Sequence, residues 1–157
     1  MTMTICRRFL VLAALMFWQG GFTFYAAIVV PTGTEVLGSA LEQGTITRQV
    51  TRSINVSGAV ALAVFAWDVL ATRSGRGVRW GRWLTWLLMA AALAVLVVLR
   101  GHLDSLFLPD ELKVIDRPAF RFWHRTYLWV STVQWGAAIL FALFTLAAWR
   151  AADRQVQ

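Results

Sequence analysis

Cysteine, lysine and acidic residues are all scarce in this chain of 157 residues. The single cysteine, Cys6, excludes an internal disulfide and the paired redox cysteines that membrane disulfide-exchange enzymes require. Charged residues of both signs amount to only 15% of the chain, against about 25% in typical soluble domains. The chain therefore lacks the charged surface with which a soluble protein of this size meets water.

Apolar residues take the place of the missing charges. They make up 59% of the chain, the mean hydropathy is +0.61, and nine residues are Trp. A small soluble domain hides only about two-thirds of the surface that its unfolded chain exposes, so it could not bury this much apolar area. The composition thus indicates a protein whose solvent is mostly lipid.

Four long apolar runs predict an all-α, four-helix transmembrane bundle that forms a single integral membrane domain over residues 1–157. The first run, residues 9–30, contains no charge. As a helix it would be about 33 Å long, and a bilayer core is about 30 Å thick. Pro31 is expected to end it. Two long connections, 31–50 and 101–120, and a short basic loop are expected between the predicted spans, which are about 9–30, 50–71, 83–103 and 122–149.

The distribution of arginine predicts which helix ends face the cytoplasm. Both termini and the short loop 72–82 together carry eight Arg and two acids, whereas the opposite ends carry seven basic and six acidic residues. Because dense arginine in short loops is retained on the cytoplasmic side, we expect both termini there. The excess of Arg over Lys, with abundant Ala, Leu, Val and Gly, is typical of a GC-rich bacterial genome. We therefore expect a bacterial inner membrane protein whose partner is the lipid bilayer, not nucleic acid.

Polar and small residues in the fourth predicted span recur every three or four positions and form one stripe, as in a helix–helix seam. Gln134 lies deep inside this span, where its amide needs a hydrogen-bond partner. Candidate partners in the first two spans are Gln19, Thr23, Asn55 and Ser57. The members of the stripe are His124, Tyr127, Ser131, Gln134, Ala138, Phe141 and Thr145.

Both histidines lie near the helix ends opposite the arginine-rich loop, and three interpretations of this region remain open. His102 follows the third predicted span and His124 begins the fourth, so antiparallel helices would place them at similar depth. The interpretation we favour is a structural network without a cofactor, in which Asp104 and Glu35 pair with arginines. The predicted network residues are Arg52, Asn55, Arg100, Arg121, Arg125, Tyr127 and Gln134.

The other two interpretations are a metal site and a haem site. The metal site would use side chains that suit Zn, Cu or Fe. Its predicted ligands are His102, Asp104, His124 and Glu35. A haem b would lie between His102 and His124, since helix bundles do carry cofactors, but the boundary position of both histidines disfavours it. No residue is assigned a catalytic role.

Two further stretches of sequence belong together. Residues 23–31 (TFYAAIVVP) are followed by Gln43, Gly44, Arg52 and Asn55, and residues 122–127 read FWHRTY. Together they resemble the small four-helix membrane proteins of the transmembrane protein 205 family. In that family an apolar span ends in a loop that contains proline, and a histidine opens the last span, as Pro31 and His124 do here. That family has no assigned chemistry, so the resemblance implies the architecture and not a mechanism.

The sequence as a whole predicts a small multi-pass membrane protein that is a non-catalytic accessory or assembly subunit, associated with other subunits or with itself. One alternative is a metal- or haem-binding protein that acts at the periplasmic face through His102 and His124. Another is an oligomeric transporter of a small solute, since four helices alone rarely enclose a pathway. No acid or base lies near the middle of a predicted span, which argues against a proton-coupled pump with a central carboxylate.

Overall fold

The computed structural model describes residues 2–108 and 113–154. Four long helices form a bundle, and each contains a stretch that is long and apolar enough to cross a membrane. The first helix covers residues 2–37, and the second to fourth are Ala40–Ala71, Arg76–Ser105 and Arg117–Arg154. The all-α fold class is confirmed, and every helix extends beyond the span predicted for it.

The first helix changes its winding twice along its length. Its α-helical segments are Thr2–Leu15, Gly21–Phe24 and Val30–Leu37. Between them lie two π-helical turns, Met16–Gly20 and Tyr25–Val29. A π-helical turn is wider than an α-helical one and often marks a place where a helix adapts to an unusual residue or neighbour.

Pro31 does not end the first helix, so the prediction that it does is wrong. A proline ring inside a helix clashes with the carbonyl four residues earlier, here that of Ala27. That carbonyl belongs to the π-helical turn Tyr25–Val29, and the wider turn leaves room for the ring. The helix ends instead at Gly38, whose φ of 66° is a left-handed conformation that favours glycine. Pro31 therefore lies within a helix and not in the loop that the family resemblance implies.

The second helix begins directly after this turn. Ser39 has an extended backbone, and its hydroxyl accepts a hydrogen bond from the backbone N–H of Glu42 at 3.3 Å. A serine in this position satisfies one of the free N–H groups at the start of a helix. The connection predicted over residues 31–50 is therefore reduced to Gly38 and Ser39.

A short β-hairpin occupies part of the other predicted connection, residues 101–120. Phe107–Leu108 pairs antiparallel with Lys113–Val114, and Phe107 lies opposite Val114. This connection too is shorter than predicted, because the third helix continues to Ser105 and the fourth begins at Arg117.

Aromatic side chains fill the core between the helices. Phe65 of the second helix is completely buried and stacks on Phe141 of the fourth, with 4.9 Å between the ring centroids. Trp18 of the first helix is also buried and lies against Gly58 of the second. The third and fourth helices have the most extensive packing, and the first helix is the least buried of the four.

The polar stripe of the fourth helix is confirmed as a buried seam over five of its seven members. These are Ser131, Gln134, Ala138, Phe141 and Thr145. The Gln134 amide donates a hydrogen bond to the backbone carbonyl of Met89, in the third helix, at 3.1 Å. None of the four side chains proposed as its partner is used in this bond. The periodicity located the buried face correctly, but it contained no information on which helix covers that face.

Gly58 tests how tightly the first two helices approach. A methyl group at this position would lie 2.7 Å from the Trp18 ring, closer than carbon atoms pack. We expect Gly58→Ala to lower the free energy of unfolding by about 1–3 kcal/mol through overpacking. Denaturant unfolding of the detergent-solubilised protein, followed by Trp fluorescence, measures this change.

Gly44→Ala is the matched control, because Gly44 lies in the same helix and its added methyl group would meet no described atom within 4 Å. Its stability should be unchanged or slightly raised, since alanine forms helices better than glycine. Equal effects of the two substitutions would contradict the close contact between Gly58 and Trp18.

Candidate functional site

One buried carboxylate joins all four helices at the bundle end that contains Arg7, Arg82 and Arg154, which we call the arginine end. The Asp68 side chain is completely buried. One of its oxygens accepts hydrogen bonds from Arg7 Nε at 2.8 Å and from the Thr72 hydroxyl at 3.1 Å. The other accepts from Arg82 Nη2 and from Trp149 Nε1, the latter at 3.1 Å. We call these five residues the Asp68 cluster.

The chain connectivity brings the cluster together. Asp68 lies in the last turn of the second helix, and the short loop before Arg76 returns the chain so that Arg82 follows in the second turn of the third helix. Arg7 lies near the start of the first helix and Trp149 near the end of the fourth. Because successive helices run in opposite directions, all four positions fall at the same end of the bundle.

Arg82 is as completely buried as the carboxylate it pairs with. Its Nε donates to the Thr145 hydroxyl at 3.3 Å, and its guanidinium carbon lies 5.8 Å from the centroid of the Phe141 ring. Arg7 also donates to the Thr72 hydroxyl at 3.1 Å. Buried charges are costly unless they are paired and hydrogen-bonded, and this cluster meets both conditions for Asp68.

A second ion pair lies beside the cluster but faces outward. Arg8 donates two hydrogen bonds to the Asp153 carboxylate, at 2.7 and 3.0 Å. Its guanidinium also lies over the Trp149 ring, 5.4 Å from the centroid. The Asp153 side chain is 60% exposed, so solvent screens this pair and it contributes little to stability.

The chemistry open to Asp68 is limited by its partners. An ionised carboxylate has about four acceptor positions, and here four donors occupy them. The carboxylate therefore has no free position with which to accept a proton from a substrate. Its geometry suits a structural clamp between helices.

Sequence analysis missed this cluster. Arg7 and Arg82 were interpreted only as orientation signals, and Asp68 was given no role. One signal was present, because Asp68 is the single acid within the apolar run 54–70. A carboxylate in such a run is expensive in lipid unless it is paired. That pattern points to a buried ion pair without identifying the arginine.

The predicted histidine site lies at the opposite end of the bundle, which we call the histidine end after His102 and His124. Both side chains are exposed. The His102 ring stacks on Trp123 with 5.3 Å between centroids, and the His124 ring stacks on Phe120 with 6.0 Å between centroids. Each histidine thus packs against an aromatic neighbour. The haem between them stays a prediction.

The predicted metal ligands have separate surroundings. Asp104 pairs with Arg48 at 2.8 Å and with Arg100 at 3.6 Å, as the structural interpretation expected for this carboxylate. Glu35 is exposed near the end of the first helix. Over residues 2–108 and 113–154, no three His, Cys, Asp or Glu side chains lie close enough together to hold a metal ion. The four predicted ligands are therefore not gathered into such a group.

The predicted polar network is assembled in part. Asn55 is buried, and its amide lies against the Tyr127 hydroxyl, on which the charge of Arg100 also acts. Gln134 is separate from these three, because it bonds the Met89 carbonyl. The remaining network residues are exposed, namely Arg52, Arg121 and Arg125.

Comparison of the chain with protein-family models, with curated proteins and with solved structures gives no match. The geometry of the two bundle ends is therefore the basis for a functional proposal.

Removal of the Asp68 charge tests the clamp. We expect Asp68→Asn to lower the free energy of unfolding by about 3–5 kcal/mol, because two buried arginines would lose their carboxylate. Thermal and denaturant unfolding in detergent measure this loss.

Asp153→Asn is the control, since it removes a carboxylate that is also paired with arginine at the same end but is exposed. It should unfold like the unsubstituted protein. If both substitutions leave the stability unchanged, Asp68 does not act as a clamp.

Proposed function

We propose that this chain is an integral membrane protein that crosses the bilayer four times and serves as a non-catalytic accessory or assembly subunit of a membrane complex. The observation that carries the proposal is the contrast between the interior and the outside of the bundle. Inside, polar groups bond to one another or to backbone carbonyls. Outside, large apolar side chains are exposed along all four helices, including Phe17, Val60, Trp80 and Trp129.

An apolar exterior of this kind needs a cover. Soluble monomers rarely expose large contiguous apolar patches, and such patches mark contact with lipid or with other proteins. Four helices with mean hydropathies of 1.5 to 2.1 in their most apolar windows suit lipid along most of this surface. Other membrane subunits, or further copies of the chain, would cover the rest.

The non-catalytic role is supported by the use made of the most deeply buried acid. Asp68 accepts four hydrogen bonds from its own chain, which suits it to hold helices and not to exchange protons. We further propose that the arginine end faces the cytoplasm of a bacterium, because basic residues in short loops are retained there.

The orientation can be tested with the cysteine that the chain already contains. Cys6 is exposed and lies at the arginine end. In cells with an intact inner membrane, a membrane-impermeant maleimide added from outside should leave Cys6 unlabelled and should label it after detergent is added. Mass spectrometry of the purified protein measures the labelling.

A second site gives the matched control for this experiment. Ser105 is exposed at the histidine end of the third helix, so Ser105→Cys in a Cys6→Ser background should react from outside. Reaction of both positions from the same side would contradict an odd number of crossings between them. Reaction of Cys6 alone from outside would reverse the proposed orientation.

The subunit role predicts an assembly larger than one chain of 17.6 kDa. Light scattering coupled to size-exclusion chromatography should detect that assembly after extraction in a mild detergent, and a denaturing detergent should reduce it to the single chain. A single chain in every mild detergent and in lipid nanodiscs would contradict the role.

A further inference from the structure

Two buried nitrogen donors at the histidine end have no hydrogen-bond partner among the described residues. One is Nδ2 of Asn55 in the second helix, and the other is Nε of Arg100 in the third. The Asn55 residue is only 9% exposed. Buried N–H groups in folded proteins are almost always satisfied, by the chain itself, by water or by a ligand. This pair of donors therefore indicates an acceptor that the described chain does not supply.

A third donor comes from the fourth helix. The Tyr127 hydroxyl lies against the Asn55 amide and within range of the Arg100 charge. Amide, guanidinium and phenol groups from three different helices thus face a common region. Contributions from several helices are typical of ligand sites in helical bundles.

The charge of this region favours an anion. Arg48 and Arg100 share the single carboxylate of Asp104, which leaves one positive charge uncompensated within this group. The side chains of Arg48 and Asp104 are 35% and 28% exposed, so the group reaches the surface of the bundle. Guanidinium and amide N–H groups are the donors that bind phosphate and carboxylate oxygens most effectively.

We propose that Asn55, Arg100 and Tyr127 form a binding site for an oxyanion at the histidine end. Two sources would supply the same chemistry, a free anion such as inorganic phosphate or the phosphate group of an anionic phospholipid. The site does not depend on the proposed subunit role, because its three donors belong to one chain.

Thermal unfolding of the full-length protein in a non-ionic detergent tests the site. The melting temperature should rise saturably with inorganic phosphate, and more than it does with sodium chloride at equal ionic strength, since only a ligand of the folded state gives a saturable shift. If the source is lipid, the melting temperature should instead be higher in vesicles that contain phosphatidylglycerol than in pure phosphatidylcholine vesicles.

Two substitutions should remove the response. Asn55→Leu and Arg100→Met each delete a donor, and each should weaken the apparent affinity for the responding probe at least tenfold. Without phosphate or anionic lipid, Asn55→Leu should melt at the same temperature as the unsubstituted protein or higher, because it replaces an unpartnered polar group with an apolar one.

Gln134→Leu is the matched control, because Gln134 is also a buried amide but already donates to the Met89 carbonyl. It should lower the baseline melting temperature and leave the affinity for the probe unchanged. The proposal is overturned if neither phosphate nor phosphatidylglycerol raises the melting temperature, or if Asn55→Leu and Arg100→Met retain the response. A baseline loss in Asn55→Leu as large as that in Gln134→Leu would also overturn it, since the amide would then be satisfied by water.

Discussion

The register of the four helices depends on the buried Asp68 carboxylate. Transfer of a carboxylate from water into an apolar interior carries a penalty of several kcal/mol, which only well-placed partners offset. Here those partners are Arg7, Arg82 and Trp149, one from each of the other three helices. Sliding one helix by a turn would separate its donor from the carboxylate and leave buried charge uncompensated. The cluster therefore selects one arrangement among the many that apolar packing alone would allow.

The rest of the bundle follows from this constraint at one end. Toward the centre, polar side chains bond to backbone carbonyls of neighbouring helices, as Trp86 does to Leu62 and Gln134 to Met89. Such bonds tolerate small shifts, because a helix offers a carbonyl at every residue. At the histidine end, the donors of Asn55 and Arg100 are left without an acceptor from the described chain. The two ends thus differ in kind, one with its carboxylate saturated and the other with donors to spare.

Particular residues show how far sequence reasoning reached. The buried face of the fourth helix was predicted correctly, because residues such as Ser131 and Thr145 share a face by helical periodicity alone. Pro31 was misjudged, because the π-helical turn that accommodates it depends on local winding that residue preferences do not report. The proposed metal ligands were grouped by similar depth, yet helices of equal depth can present their side chains in different directions, and Asp104 faces arginines.

The sequence by itself determined the all-α class, the number of long helices and which face of the fourth is buried. These properties depend on apolar run length and periodicity, which are local along the chain. The tertiary structure alone decided which charges meet. Asp68 is separated from Arg82 by 14 positions, from Arg7 by 61 and from Trp149 by 81. Such pairings depend on which helices are neighbours and in what register they pack, and no local pattern encodes either. The scarcity of charge announced an apolar protein, and the fold decided that one of its few acids would hold the helices together.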